Sequence, residues 1–325
     1  MNAPNPPAVA VSGPRRVKRR MVFILLACLT AVGVCAVILT RHWEPLYQGR
    51  PVHEWVEALS GSQQQGTRGE IAYADAKSAL EHLDTNAIPL LLEWIAYEPK
   101  LSNTRMSIAT LIYKVPFSRR SAWLQRWLYS KDQREVRIDA AVVGFAVLGP
   151  GAVSAAPDLA RLATFSTNTV AAHRAIDALT RIGPLALPAL LSVITNRNSA
   201  TRFYATRCIS NLGTNALPAI PTLILCLTNP AVAGAAFETL GHLKLGPELV
   251  VPSLIKIAGD QDALLRTSAI LTLGDFGQEA RRAVPTLLTA LSDDEAAIRD
   301  SATNALQSIA PETVNARSSG VTGCR

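Results

Sequence analysis

Aromatic side chains are scarce in this chain, at 6% of 325 residues, and charged ones reach only 18%. Five cysteines at this length exclude a disulfide-dense secreted scaffold. The five histidines, His42, His53, His82, His173 and His242, never fall within four residues of one another. In His53-Glu54-Trp55-Val56-Glu57 a glutamate stands where a zinc-binding helix needs its second histidine. The phosphate-cradling P-loop, the GxGxxG turn and the GxSxG nucleophile elbow are all missing. These absences assign no catalytic residue, no metal and no cofactor. What is abundant is apolar sequence, 49% of the chain, enough for a sizeable core and too much for a disordered protein.

The formal net charge of +7 invites a nucleic-acid reading until its position is examined. Residues 1–20 hold five bases (Arg15, Arg16, Lys18, Arg19 and Arg20) and no acid. Beyond them, 41–99 has 4 bases against 9 acids, 100–207 has 15 against 5, and 208–325 has 8 against 11. A basic middle therefore lies between acidic ends, and bulk charge is no argument for nucleic acid.

Residues 21–40 read MVFILLACLTAVGVCAVILT, without a charge or a proline. As a helix they would cross about 30 Å of hydrocarbon. The bases before this segment predict a cytoplasmic N-terminus and an extracytoplasmic bulk, periplasmic or cell-envelope in a bacterium. Trp43 and Tyr47 suit the far interface. A cleaved signal peptide would have a shorter apolar core and a small-residue cleavage site, both missing here. Leu25-Leu26-Ala27-Cys28 loosely matches a lipoprotein box, but apolar sequence runs on well past it. Residues 1–20 read as a basic, disordered cytoplasmic tail.

A proline followed by a leucine-rich run recurs at Pro89, Pro157, Pro188, Pro221, Pro252 and Pro285, with gaps of 68, 31, 33, 31 and 33 residues. The first gap is close to twice the period, which predicts a unit without its proline near Trp123. Between the prolines lie amphipathic stretches such as 170–183, 200–213, 264–277 and 297–310, mostly ending in glycine. Clusters such as Gly259-Asp260 and Ser292-Asp293-Asp294 mark the turns. Each unit reads as a helical hairpin, and hairpins that cannot bury both faces alone must stack. The expected class is all-α, an α-solenoid of about seven hairpins over 70–310. Ahead of it, 41–69 should hold a cap helix (Val52, Trp55, Val56 and Leu59 on one face) and a flexible loop, 62–69. Residues 311–325 read as a disordered tail.

The run GQEARRAVPTLLTALSDDEAAIRDSATNALQSI (277–309) resembles a short HEAT repeat of the kind also found in phycobilin-lyase-like proteins. The six-residue Asp–Arg spacing of that family is present in Asp260/Arg266 and Asp293/Arg299, and with asparagine in Asn196/Arg202. At the Pro221 unit it is broken by Ala233. The resemblance implies a right-handed, armadillo-like solenoid and a role in binding.

Three groups of residues stand out. Arg137, Arg202, Arg266 and Arg299 recur at equivalent places; they read as a structural ladder bonded to turn aspartates or carbonyls, or else as an anion-binding row. Arg119, Arg120, Trp123, Arg126, Trp127, Arg134 and Arg137 form a basic, aromatic segment, either an interaction surface or core residues with a solvated basic face. Cys208 and Cys226 lie at similar distances from the turn near Leu217, so a disulfide is sterically open to them; the plainer expectation is two small core residues. The function that follows is a membrane-anchored, non-catalytic scaffold for protein partners, acidic ones in particular. The competing readings are a lyase-like enzyme subunit and, less favoured by the predicted topology, a binder of nucleic acid or anionic polymer.

Overall fold

The computed structural model describes residues 44–61, 66–97 and 133–313. The expected membrane span, the basic tail and residues 98–132 lie outside them. Chain contacts divide the protein into two units, residues 1–44 and 45–325, and only the second is described below.

It opens with a two-stranded antiparallel ribbon, β1 (Leu46–Tyr47) and β2 (Arg50–Pro51), which the sequence reading missed. Gln48 and Gly49 make the turn with φ of 50° and 76°, the paired positive values of a tight hairpin. The ribbon folds back on α1 (Val52–Gly61), the expected cap helix. Trp55 donates its indole N–H to the Tyr47 carbonyl at 3.2 Å, and Arg50 lies over the Trp55 ring. Tyr47, suited by sequence to a membrane interface, packs its ring against Trp55 and His82. Helix α2 (Gly66–Leu83) begins inside the stretch expected to be a flexible loop.

The remaining helices alternate in role. First helices are α3 (Ile88–Ala96), α5 (Ala156–Phe165), α7 (Leu187–Thr195), α9 (Ile220–Cys226), α11 (Pro247–Ile257) and α13 (Val284–Ala290). Second helices are α4 (Gln133–Leu148), α6 (Thr169–Ile182), α8 (Arg202–Cys208), α10 (Ala233–Leu243), α12 (Ala263–Phe276) and α14 (Ala296–Ile309). The recurring proline opens most first helices, where its missing N–H costs no intrahelical bond and its fixed φ suits the helix. Pro252 is the exception: it lies inside α11, and Pro247 takes the opening position. Asn168 and Asp262 cap α6 and α12, each accepting two backbone N–H bonds.

The glycines that end the second helices depart from expectation. Gly183, Gly213 and Gly277 have positive φ, yet their ψ values of −152°, −133° and −134° are extended, not left-handed helical. That region is open essentially to glycine alone. It turns the chain at once into a 3-10 segment and the next first helix. Arg137–Phe165 and Arg202–Cys226 are each apolar enough in composition to span a membrane. Each is nevertheless two helical pieces folded about a positive-φ glycine, Gly149 or Gly213, with residues in the core.

Every second helix from α4 onward packs against the next, and each first helix packs against its own second helix. Helix α3 packs directly on α4, and α4 also contacts α1 and α2. A Cβ built on Gly144 of α4 would lie 3.0 Å from Leu91 of α3 and 3.3 Å from Leu80 of α2. Thus α3 and α4 pair as one hairpin with residues 98–132 between them. The separate unit expected around Trp123 lies outside the described residues. At the other end, residues 311–313, expected as tail, are helical, and Glu312 pairs with Arg281.

One contiguous core runs from Val52 to Ala310. Small residues set the spacing of the second helices: Ala171, Ala172, Ala175 and Ala178 of α6 are all buried. At Gly274 of α12 an added Cβ would stand 3.2 Å from the Ala305 Cα of α14. Gly274→Leu should therefore push α12 and α14 apart and lower stability by about 1–3 kcal/mol, the usual cost of overpacking. Urea unfolding monitored by circular dichroism would measure it, and an unchanged midpoint would contradict the close contact.

Candidate interaction surface

Four of the six residues of the proposed ladder, Asp260, Arg266, Asp293 and Arg299, come together in one linked site. The Arg266 guanidinium donates from Nε and Nη2 to the two Asp293 carboxylate oxygens, both at 3.1 Å. Its Nη1 donates to the carbonyls of Asp260 and Gln261, at 3.2 and 2.9 Å. One arginine thus closes its own turn and clamps the turn of the next hairpin. The two-point fork is the strong form of this pairing. Arg299 repeats the first half of the pattern, with Nη1 bonded to the carbonyls of Asp293 and Asp294 at 2.7 and 2.9 Å. Arg202 donates from Nε to the Ile194 carbonyl at 2.6 Å, and Asn196 instead accepts the backbone N–H of Asn198. The next turn offers Asn229 where an aspartate would stand, and its side chain accepts the Ala231 N–H; the arginine's place six residues on is then Ala235, two residues beyond the Ala233 suggested by the sequence. The spacing therefore encodes a turn clamp at Arg266 and Arg299, and a link between hairpins at Arg266, where the following turn supplies an acid. The anion-binding row does not form at Arg266, whose guanidinium is taken up by these partners.

Asp293 also accepts the Glu295 backbone N–H at 3.0 Å. That bond and then the Arg266 fork hold its carboxyl below the usual carboxylate range. A depressed folded value means stability that is present above the ordinary carboxylate value and is lost as pH falls through the folded one. Asp293→Asn should be less stable than the parent at neutral pH. The two melting temperatures should converge in acid, and a constant difference between them down to pH 3 would refute the clamp.

Of the basic, aromatic segment, Arg119, Arg120, Trp123, Arg126 and Trp127 lie outside the described residues. Arg134 falls within α4, but its side chain is not described. Arg137 donates from Nε to Glu57 at 2.6 Å and lies 5.9 Å over the Trp94 ring. It ties the cap helix to the stack, which is a structural contact.

Cys208 and Cys226 are free, buried thiols, so no disulfide joins them. Similar height along two helices was a necessary condition and not a sufficient one. Cys208 keeps company with Tyr204 and Thr180, and Cys226 lies near Arg202. Burial, with the Asp177 charge next, pushes the Cys208 thiol up to about 11, and burial raises Cys226 too. Both should react slowly with iodoacetamide at pH 8 in the native protein and rapidly in urea. Peptide mapping of the alkylated sites reads this directly, and fast native labelling of Cys208 would contradict its burial.

The most elaborate polar arrangement on the second helices was not singled out from the sequence. Tyr204 of α8 donates to Asp177 of α6 at 2.7 Å and stacks on His173 with ring centroids 4.3 Å apart. Burial and this bond raise the Tyr204 phenol above its ordinary value. Arg207 pairs with Glu238 of α10 at 3.0 Å, both half-exposed, so the pair adds little stability. Thr239 donates to the Thr206 carbonyl at 3.1 Å and closes the floor. Tyr204, Arg207, Asn211, Glu238 and His242 line a hollow of about 430 Å³ there. The signal for it was weak: isolated polar residues one period apart, with no motif between them. Among the described residues, no three His, Cys, Asp or Glu side chains are grouped to hold a metal.

Residues 220–307 match the family described as HEAT repeats. They cover the hairpins from α9 through most of α14. An engineered protein of known structure is 17% identical, with 79% of this chain and 95% of that one covered, at a TM-score of 0.27. No curated protein matches the chain.

Proposed function

We propose that this protein is a membrane-anchored, non-catalytic scaffold that binds protein partners on the exposed face of its second helices, on the extracytoplasmic side. The observation that carries the reading is the run of partner-ready polar groups across successive hairpins. Tyr204, Arg207, Glu238 and His242 of two neighbouring second helices line one hollow, and Asp177 of the preceding one holds Tyr204. Rigid helices displaying alternating charge suit an extended polypeptide better than a small substrate. HEAT repeats in 220–307 agree with an interaction role. Anchorage rests on the uncharged run 21–40, and sidedness on the five bases before it. The solenoid expected from the repeat would extend the same face along the whole domain. The basic middle, 100–207, favours acidic partners.

Topology is the test. A reporter active only outside the cytoplasm, fused after Arg325, should be active, and activity confined to the inside would reverse the proposed orientation. Reversing the charge of Arg119, Arg120 and Arg126 should weaken partner binding and flatten its salt dependence. Unchanged binding would remove that segment from the scaffold's working surface.

A further inference from the structure

The 3-10 segments that lead into the first helices, with the start of α11, carry a pattern that neither the repeat's packing nor the second-helix face uses. Val153, Leu185, Leu217 and Leu249 fall 32 residues apart, each just ahead of the recurring proline. They are 38%, 58%, 52% and 51% exposed. Inward-facing neighbours such as Ala152, Ala186, Ala216 and Val250 are buried, so the exposed aliphatics are additions to the repeat and not its core. At the next unit the row ends in Arg281. Leu225, two turns beyond Leu217 on the same side, is 78% exposed. Large apolar side chains in a continuous row on a soluble face mark a contact surface.

The charge on this face decides what covers it. No charged residue occurs from Cys208 to Phe237, nor from Ile182 to Asn196, so α7, α9 and the segments leading into them are neutral. On α5, Asp158 and Arg161 neutralise each other at 2.8 Å. On α11, Glu248 is matched by Lys256. A lipid-binding face needs Lys, Arg, Trp or Tyr to meet head groups, and α7 and α9 have none. A face without net charge can be turned on itself with no repulsion, and interfaces between identical chains are the most apolar class.

The same face carries both a groove and projecting side chains. Between α5 and α7 a groove of about 580 Å³ is lined by Val153, Pro157, Phe165, Leu185 and Pro188. One hairpin further along, Leu217 and Leu225 project as knobs. We infer that two copies of this chain pair through their first helices, with Leu217 and Leu225 of each seated in the α5–α7 groove of the other about a two-fold axis. The pairing leaves the second-helix faces of both copies open, so it does not depend on what those faces bind.

Two differently tagged full-length chains, co-expressed in cells, test it. One carries Leu217→Cys, the other Leu185→Cys, and a short bismaleimide is added. A crosslinked heterodimer is expected above the background of the unsubstituted parent. Adding Leu225→Lys to both chains should abolish it, without moving the melting temperature, since the residue is exposed. Leu271→Cys on α12, on the second-helix side and 51% exposed, should give no crosslink in either tag combination. The inference fails if both thiols accept a monofunctional maleimide yet never crosslink. It also fails if position 217 is shielded from aqueous maleimide without crosslinking, which would mean that lipid covers the row. Persistence of the crosslink in the Leu225→Lys pair would place the contact elsewhere and overturn the arrangement.

Discussion

A helix flanked on three sides must be narrow, and that constraint governs this protein. Each second helix meets its own first helix, the preceding second helix and the following one. Large side chains on all three flanks would hold the layers apart. The chain answers with alanine on α6 and with glycine at Gly144 and Gly274, where neighbouring atoms leave little room for a side chain. Leucine and isoleucine then fill the seam toward the first helices, as Leu190, Leu223 and Leu254 do. Apolar burial of this kind is the main favourable term in folding. Here it accumulates hairpin by hairpin, and a polar cap is needed where it begins.

Turn chemistry sets the angle between layers. The positive-φ glycines swing the chain from one hairpin to the next, and the proline that follows starts the new helix without an unsatisfied N–H. The arginine clamp then locks the opposite end. Arg266 satisfies carbonyls of its own turn while holding Asp293 of the next. Where Asn229 replaces the acid, Thr239 takes over with a hydroxyl bond to Thr206 of the preceding layer, and one hairpin earlier Thr201 bonds Ala163 in the same way. Registry between layers is therefore carried by different side chains in different hairpins.

This division explains what could be read from the residues. The Pro-Leu period and the glycine spacing placed the hairpins because local backbone needs recur at each unit. The Asp–Arg spacing located the clamp, but its reach into the following turn is a contact between residues 27 apart, beyond any local pattern. The ribbon before α1 escaped notice because two-residue strands leave no alternation to detect. Cys208 and Cys226 are small core residues, the plainer of the two expectations, and height along a helix says nothing about which flank a side chain occupies.

The same three-flank constraint separates the two exposed faces. Second helices have one side left for solvent, and it mixes Asp177, Arg207, Glu238 and His242 with scattered apolar groups, Val170, Phe203, Leu264 and Leu271. First helices have fewer neighbours, and beside α7 and α9 their free side is aliphatic and uncharged. Nothing in the stacking of hairpins asks for leucine there: Arg281 occupies the equivalent position in the last unit, pairing with Glu312 instead. Side chains that folding does not require, repeated over four units and stopped by a charge, are constrained by something outside the chain's own core. The polar face has the variety expected of partner choice, whereas the aliphatic face has the uniformity expected of a surface that meets its own kind.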